Sequence, residues 1–335
     1  MKVAIFCSAC LCVLLSCKHE IKNTIRISGK AQGTTYHITY LAGSNANYRE
    51  EFDSLFRCID QSLSTYNASS IISKMNSNDT SAVADAFFLT VFEKALEVSG
   101  KTNGQFDVTV APLVNAYGFG FTQREKVSQA LIDSLLPLVG YKKVRLADGK
   151  LVKDNPKTML DFNAIAQGYT VDVLSSFLDE KGISDYLVEL GGELKAKGKR
   201  LDGSLWSVGI EQPDENATDE VALSATLTVK DRALATSGNY KRFYSEGGKK
   251  YSHILDPFTG YPAKNNLLSA TVVAENCMTA DAYATAFMVM GLEGARQFLE
   301  ANKDLGLEVL FIYDEQGKWK TYQSEKLHET IEIVK

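Results

Sequence analysis

Beyond its first residues the chain has no basic run, no further long apolar run, no cysteine-rich framework, no internal repeat and no low-complexity linker. Each absence removes a class of protein. With no basic patch, and with a net charge of −5 over 335 residues, a nucleic-acid binder is disfavoured, because phosphate backbones are gripped by clustered Lys and Arg. No segment after the leader is apolar enough to span a bilayer, so the mature domain is expected to be soluble. Of six cysteines, Cys7, Cys10 and Cys12 fall in the leader and Cys17 at its end. Cys58 and Cys277 remain, which makes neither a disulfide framework nor a cysteine metal site. Both sit in apolar helical patterns and read as buried free thiols, with pairing in an oxidising compartment as the alternative. What is present is ordinary globular material. Hydrophobic residues are 45% and charged residues 23% of the chain, ample for a core, and the length suits one large domain or two ordinary ones.

The leader is a motif in itself. Lys2 is a short positive region, and Val3–Ser16 is uncharged and too short to cross a bilayer comfortably. It ends Leu14-Leu15-Ser16-Cys17, which matches the lipobox of bacterial lipoproteins, where the cysteine is acylated and becomes the first residue. An ordinary signal peptide with an incidental cysteine is the other reading. The expected organisation is a leader over 1–16, a tether over 17–22 and a folded domain over 23–335. Acylated Cys17 would hold that domain to a membrane.

Along the domain, period-2 runs at Ile21–Ser28 and Thr34–Leu41 predict a hairpin around Gly29–Gly33. Helical spacing predicts helices capped by Asn47 and by Asp85, a short one over Ser70–Met75 and one near Ser128–Val139. Gly104–Leu113 reads as a loop passing into an extended segment. Asp161–Gly168 reads as a strand running into a helix that continues to about Lys181. Asp148-Gly149, Gly191-Gly192, Asp202-Gly203 and Gly247-Gly248 read as turns between strands. Ala235–Tyr240 reads as a small-residue turn. Leu268–Ala274 is a strand, Cys277–Met290 a helix, Gly294–Asn302 its extension, and Leu307–Tyr313 with Trp319–Tyr322 a closing hairpin. Strands arrive in hairpin runs interrupted by helices, which predicts an α+β fold rather than a doubly wound parallel one.

Three places could carry chemistry. In Tyr251–Pro262, His253 ends an alternating run just before the turn signals Asp256-Pro257 and Gly260-Tyr261-Pro262. A side chain there is held by a strand and offered at a loop; a structural histidine in a tight loop is the plainer reading. Asp161–Gly168 puts polar groups at the start of a helix, whose first N–H groups are unpaired and suit an anionic ligand. Asp161 or Asn163 could equally be a simple cap. Asp281 and Thr285 are one turn apart on one helix face. A carboxylate and a hydroxyl at that spacing can share a hard cation such as Mg²⁺, or be unremarkable helix residues.

Taken in order, several stretches resemble one family. They are Gly33-Thr34-Thr35-Tyr36, Ser64-Thr65-Tyr66 with Asn76, Gly104–Leu113, Asp161–Asp172, Leu190–Glu193, Thr236–Tyr240, His253–Pro262 and Ala280–Thr285. The family is the FAD:protein FMN transferases, the ApbE-type flavin transferases of the bacterial envelope. The resemblance implies a T-fold-like α+β architecture of largely antiparallel sheets with packed helices. It implies Mg²⁺-dependent cleavage of the FAD pyrophosphate, transfer of FMN to a threonine or serine hydroxyl of a partner protein, and release of AMP. The acceptors it implies are subunits of membrane redox complexes of the sodium-translocating NADH:quinone reductase or Rnf type, with the domain lipid-anchored in the bacterial envelope on the periplasmic side.

By the same resemblance, Asp281, Thr285 and the Ala164 carbonyl are metal ligands. Gln32, Tyr66, Gln105, Phe106, Asp107, Asp161, Gln167 and Leu255 are flavin-nucleotide contacts, and His253 is the acid/base. Gln167 departs from the lysine or glutamate of many relatives, and Ala284 offers no ligand where some have aspartate. A pyrophosphatase that releases free FMN and AMP, and a tethered flavin binder without chemistry, are the competing expectations.

Overall fold

Residues Tyr36, Ile38 and Tyr40 alternate inward along one strand, Tyr186, Val188 and Leu190 along another, and all six are buried. That alternation, read strand by strand, builds the main sheet. The computed structural model describes residues 22–43, 46–120, 125–213, 223–239, 243–246 and 249–334. The leader and Cys17 lie outside them, as do most of the tether and the expected turn at Gly247-Gly248.

In chain order the elements are β1 (Asn23–Ala31), β2 (Thr34–Ala42), α1 (Arg49–Leu63), α2 (Ile71–Asn76), α3 (Ala86–Lys101), α4 (Ala111–Ala116) and α5 (Gln129–Leu135). Then follow β3 (Val144–Ala147), β4 (Lys150–Lys153), α6 (Ala166–Glu180), β5 (Tyr186–Leu190), β6 (Glu193–Lys197), β7 (Trp206–Glu211), β8 (Leu223–Val229) and β9 (Arg232–Gly238). The chain closes with β10 (Phe243–Glu246), β11 (Lys249–Ser252), β12 (Leu267–Ala274), α7 (Cys277–Ala301), β13 (Glu308–Glu315), β14 (Lys318–Gln323) and β15 (Ile331–Ile333). An eight-stranded sheet has the order β1-β2-β5-β6-β9-β12-β13-β14, and a second, three-stranded sheet the order β15-β8-β7. Among the described residues every strand pairing is antiparallel. The α+β expectation holds. No helix among them is long and apolar enough to cross a membrane.

Side-chain alternation assigns the layers. One face of the large sheet packs Tyr36, Ile38, Tyr186 and Val188 against Phe52 and Phe56 of α1 and Val171, Leu174 and Leu178 of α6. The other face packs Leu194, Ala196, Leu234, Val273 and Leu310 against Trp206, Ile210, Ala225, Leu227 and Val229 of the small sheet. The small sheet covers only part of that face, and β7 is its edge strand.

Several expectations are corrected. The first hairpin is tighter than a five-residue loop. Its turn is Gln32-Gly33, both at positive φ (50° and 76°), the geometry a two-residue hairpin turn requires. Arg49, not Asn47, begins α1; the Asn47 side chain accepts from the Arg49 N–H without capping the helix. Gly104–Leu113 is not extended. Asp107 accepts from Thr109 N and nucleates a 3-10 turn at Val108–Val110, and Pro112 then sits in the first turn of α4, where its missing N–H costs nothing. Asp161–Phe162 is an irregular turn rather than a strand, because Asp161 bonds the Asn163 N–H instead of a neighbouring strand.

Ala235–Gly238 belongs to β9. Its small residues answer to packing, since α7 lies directly over β9 and β12 and needs Ala233 and Ala235 beneath it. Cys277 is buried, and burial pushes its thiol well up. Cys58 is exposed, because on α1 it falls outside the stripe Phe52, Phe56, Ile59, Leu63. The two expected pieces Cys277–Met290 and Gly294–Asn302 are one helix broken at Gly291 (φ 72°).

Asn76, at the end of α2, ties two distant parts of the chain together. Its amide donates to the Leu160 carbonyl (2.8 Å) and its Oδ1 accepts from the Leu160 N–H (2.7 Å), both buried. Asn76→Ala is expected to destabilise the protein by about 1–3 kcal/mol for each backbone group left unpaired. A denaturation midpoint unchanged from wild type would contradict this.

Candidate functional site

A cleft of about 240 Å³ opens on the helix-covered side of the large sheet. Its polar end is made by Asp161, Asn163, Ala164, Gln167, Ser237, Asp281 and Thr285. Its apolar end is made by Phe106, Val108, Phe119, Ile254, Leu255 and Val289, and His253 stands in the same wall. The turn before α6, the first turns of α7 and the loop after β11 converge here, with the chain on either side of α4 and the end of β9 beside them.

The close approach of α6 and α7 places Asp281. A Cβ at Gly168 would lie 2.5 Å from the Cys277 carbonyl and 2.8 Å from Asp281 Cβ, so only glycine fits. The Gly168 N–H donates to Asp281 Oδ2 at 3.0 Å. One turn further along α6, Asp172 accepts from the N–H groups of Cys277 and Met278, both at 2.9 Å. It thereby caps the α7 N-terminus together with Asn276, which accepts from Thr279 N. Lys195 approaches Asp172 at 3.5 Å. The α6 face thus grips α7 at two levels, and the depth of Asp281 follows.

Asp281 is 5% exposed. Burial pushes its carboxyl from 3.8 up to about 7, against the Gly168 N–H, which lowers it, and with the Asp172 charge, which raises it further. Oδ1 of Asp281 has no hydrogen-bond partner among the described residues. Thr285, one turn on, faces the cleft with its Oγ1 3.1 Å from Ser237 Oγ on β9. In the metal-free protein, the folded state keeps a proton on Asp281 that the unfolded chain has already released. Stability therefore falls as pH rises from about 4 toward about 7 and levels off above. Asp281→Asn removes that share of the slope. Melting temperatures measured against pH in chelator check it, and profiles of equal slope for the two proteins would contradict it.

The turn before α6 is self-tied. Asp161 Oδ1 accepts from the Asn163 N–H (2.7 Å), and the Asp161 N–H donates to the Val108 carbonyl (2.8 Å). Burial raises the Asp161 carboxyl, although part of its surface stays open. Asp107 has both oxygens engaged, Oδ1 by Thr109 and Oδ2 by the Tyr141 N–H. What it adds to the cleft is rigidity and backbone rather than a free carboxylate.

His253 follows β11 directly and its ring meets Phe119 edge-on at 6.1 Å. The loop beyond it is closed on itself: Asp256 N bonds the Tyr261 carbonyl, Gly260 N the Asp256 carbonyl, and Ala263 N the Ile254 carbonyl, at 2.8–2.9 Å. The Tyr261 hydroxyl donates to Gln129 on α5 (2.8 Å), which fastens the loop to the body.

The structure brings His253, Gln105, Phe106, Asp107, Asp161, Ala164, Gln167, Leu255, Asp281 and Thr285 onto one cleft. Two expected residues do not line it. The Gln32 amide exchanges hydrogen bonds with Thr170 on α6 (3.0 and 3.2 Å). Tyr66 is 59% exposed and donates to the Phe119 carbonyl at 3.4 Å, which sets it beside the cleft wall. Ser237, within the Thr236–Tyr240 stretch of the resemblance, also lines the cleft, as do Phe119 and Val289. Only the sheet register, with Ser237 opposite Ala270 of β12 under α7, places the first. Among the described residues no three His, Cys, Asp or Glu side chains cluster as a metal cage.

Comparison with known proteins matches the model of the ApbE family over residues 32–311. A FAD:protein FMN transferase of Vibrio cholerae is 35% identical, over 94% of this chain and 95% of its own. One of Haemophilus influenzae is 34% identical, over 95% of both. Among solved structures, the flavin transferase ApbE from Vibrio cholerae superposes with a TM-score of 0.82 at 34% identity, covering 92% of this chain and 100% of its own. The flavinyl transferase ApbE of Pseudomonas stutzeri gives 0.81 at 30% identity, covering 92% and 97%.

Proposed function

The chain belongs to the ApbE family, and from that membership we infer that it is an FAD:protein FMN transferase, moving FMN from FAD onto a protein acceptor. The observation that carries the reading to residues is the convergence of one deeply buried carboxylate, one cleft-facing hydroxyl and one imidazole on a single cleft with an apolar half. The apolar end, with Phe106, Phe119 and Leu255, suits a flat ring system. The polar end, at the α6 N-terminus, suits an anionic pyrophosphate.

Mg²⁺ fits the donors present. Asp281 is a buried carboxylate with one oxygen uncommitted, and its raised pKa marks a charge the protein itself does not offset. With the Thr285 hydroxyl and the Ala164 carbonyl it offers oxygen donors only. A partial oxygen set suits an ion that completes its shell with water and substrate phosphate. Bound there, the ion would neutralise pyrophosphate oxygens and act as a Lewis acid.

The chain's own residues supply the rest. His253 takes the proton of the acceptor hydroxyl, an imidazole being the side chain suited to that at neutral pH. The oxygen attacks the FMN-side phosphorus, the pyrophosphate bond breaks, and AMP leaves. Gln105, Asp161 and Gln167 orient the nucleotide; the uncharged Gln167 amide can bond a ribose or phosphate oxygen without adding charge. Asp281→Ala is expected to raise the Mg²⁺ concentration for half-maximal rate by about tenfold or more. An unchanged Mg²⁺ titration would contradict the ligand assignment.

The acceptors proposed are Thr- or Ser-bearing subunits of membrane redox complexes of the NADH:quinone reductase or Rnf type. The lipobox ending at Cys17 supports an envelope lipoprotein, tethered to a membrane with its domain on the periplasmic side. Incubation with FAD, Mg²⁺ and such a subunit tests the reading. AMP release matched by covalent flavin fluorescence on the acceptor is expected. Free FMN without labelled acceptor would make the enzyme a hydrolase, and stable FAD without AMP would make it a binder.

A further inference from the structure

The second cavity is a groove of about 600 Å³ on the opposite side of the sheet from the catalytic cleft. It lies where the small sheet stops short. Thr24 and Arg26 of β1, Thr39 of β2 and Leu187 of β5 floor it, and Trp206 at the start of β7 walls it. The loop between β6 and β7 overhangs it with Arg200, Leu201 and Asp202. Neither Arg26 nor Arg200 forms a salt bridge among the described residues. The Asp202 carboxylate is held by its own turn, accepting from Ser204 N (3.0 Å) and Ser204 Oγ (2.6 Å). Leu201 is 59% exposed, beside exposed Lys199 and Arg200. A loop tip with a bare leucine next to two cationic side chains, its following Asp202 tied up by Ser204, has the composition of a surface that enters a headgroup layer.

The position of the chain's start selects the occupant. β1 begins at Asn23, and Thr24 and Arg26 of the groove follow at once. The six residue steps from Cys17 to Asn23 span about 20 Å at full extension. We propose that this groove and the Lys199–Asp202 loop form a membrane-docking surface. In it Arg26 and Arg200 take the phosphates of anionic lipid headgroups and Leu201 enters the acyl boundary. The proposal rests on the lipid-anchor reading of Cys17. Its consequence is orientational: with this face on the bilayer, the catalytic cleft, on the other side of the sheet, is turned outward to acceptor domains.

Amide exchange of the full-length acylated protein tests it. The protein is placed in detergent, in phosphatidylcholine nanodiscs and in nanodiscs enriched in phosphatidylglycerol. Exchange over 199–205 is expected to slow by about tenfold in the anionic discs relative to the neutral ones. The double variant Arg26→Glu, Arg200→Glu is expected to lose that protection while keeping FMN transfer to a soluble acceptor. Equal exchange in both discs, or protection that survives the double variant, would overturn the proposal. Protection by inorganic phosphate in detergent would also overturn it, in favour of a soluble anion. The mass of the N-terminal peptide reports acylation separately. If acylation is absent, the same exchange comparison on added vesicles decides the docking surface alone, slower exchange on anionic vesicles supporting it and equal exchange overturning it.

Discussion

Replacing His253 by alanine is expected to slow FMN transfer by about 10²–10⁴-fold and to leave FAD affinity within about threefold of wild type. The two effects separate because of how the loop is built. Hydrogen bonds that shape it run between backbone groups of Ile254, Asp256, Gly260, Tyr261 and Ala263 and from the Phe258 N–H to Asp256 Oδ1, and its anchor is the Tyr261–Gln129 contact. None of these bonds passes through the imidazole. Truncation removes the proton acceptor and an edge contact with Phe119, while Leu255 and Phe106 keep the apolar wall. Single-turnover AMP release and a FAD titration measure the two quantities. Transfer at the wild-type rate would remove His253 from the mechanism, and lost FAD binding would make it a structural residue instead.

The second large effect is expected at Gly168, which touches no reacting atom. A methyl group there meets backbone of α7 at 2.5 Å, so the two helices must part or shear. Nothing flexible lies at the contact; the obstacle is the Cys277 carbonyl, and behind it the Asp172 cap on Cys277 and Met278. Gly168→Ala is expected to cost about 1–3 kcal/mol of stability. It is also expected to lower transfer by about 10²-fold, since a displacement near 1 Å at Asp281 and Thr285 spoils their joint geometry. Gly100→Ala is the control. Gly100 lies in α3 with nothing within 4 Å of a built Cβ, and alanine there is expected to be neutral or slightly stabilising. Transfer rates and denaturation midpoints of the two variants check this; equal behaviour would show that the α6–α7 contact does not set the site.

What could be read from sequence divides along physical lines. Strands with clear alternation, such as Thr34–Ala42, and helices with side-chain caps, such as the one begun by Asp85, are local and were legible. The two helical patterns on either side of Gly291 were also visible, although not that they form one broken helix. The failures lie where tertiary contact overrides local signal. Ala235–Gly238 looks like a turn until α7 is laid over it, when its small residues become the condition for a close helix. Gly104–Leu113 looks extended because its β-branched residues outweigh, on paper, a single Asp107 cap and Pro112.

The site shows the same division. Asp281 and Thr285 share a helix face by spacing alone, and His253 stands out among turn residues. Ordered motif resemblance, rather than spacing, supplied Gln105, Asp161 and Gln167. Ser237 and the gripping pair Gly168 and Asp172 become functional only in three dimensions, although Gly168 and Asp172 stand at i and i+4 on one helix, the spacing of a packing face.

The central claim is that a divalent ion sits between Asp281 and Thr285, within the cleft that His253 borders. The most direct measurement is anomalous diffraction from crystals grown with Mn²⁺ and AMP. The account predicts an anomalous peak in bonding contact with an Asp281 carboxylate oxygen and the Thr285 hydroxyl, absent in Asp281→Ala crystals. Mn²⁺ bound elsewhere, or a peak that persists in the variant, would contradict it.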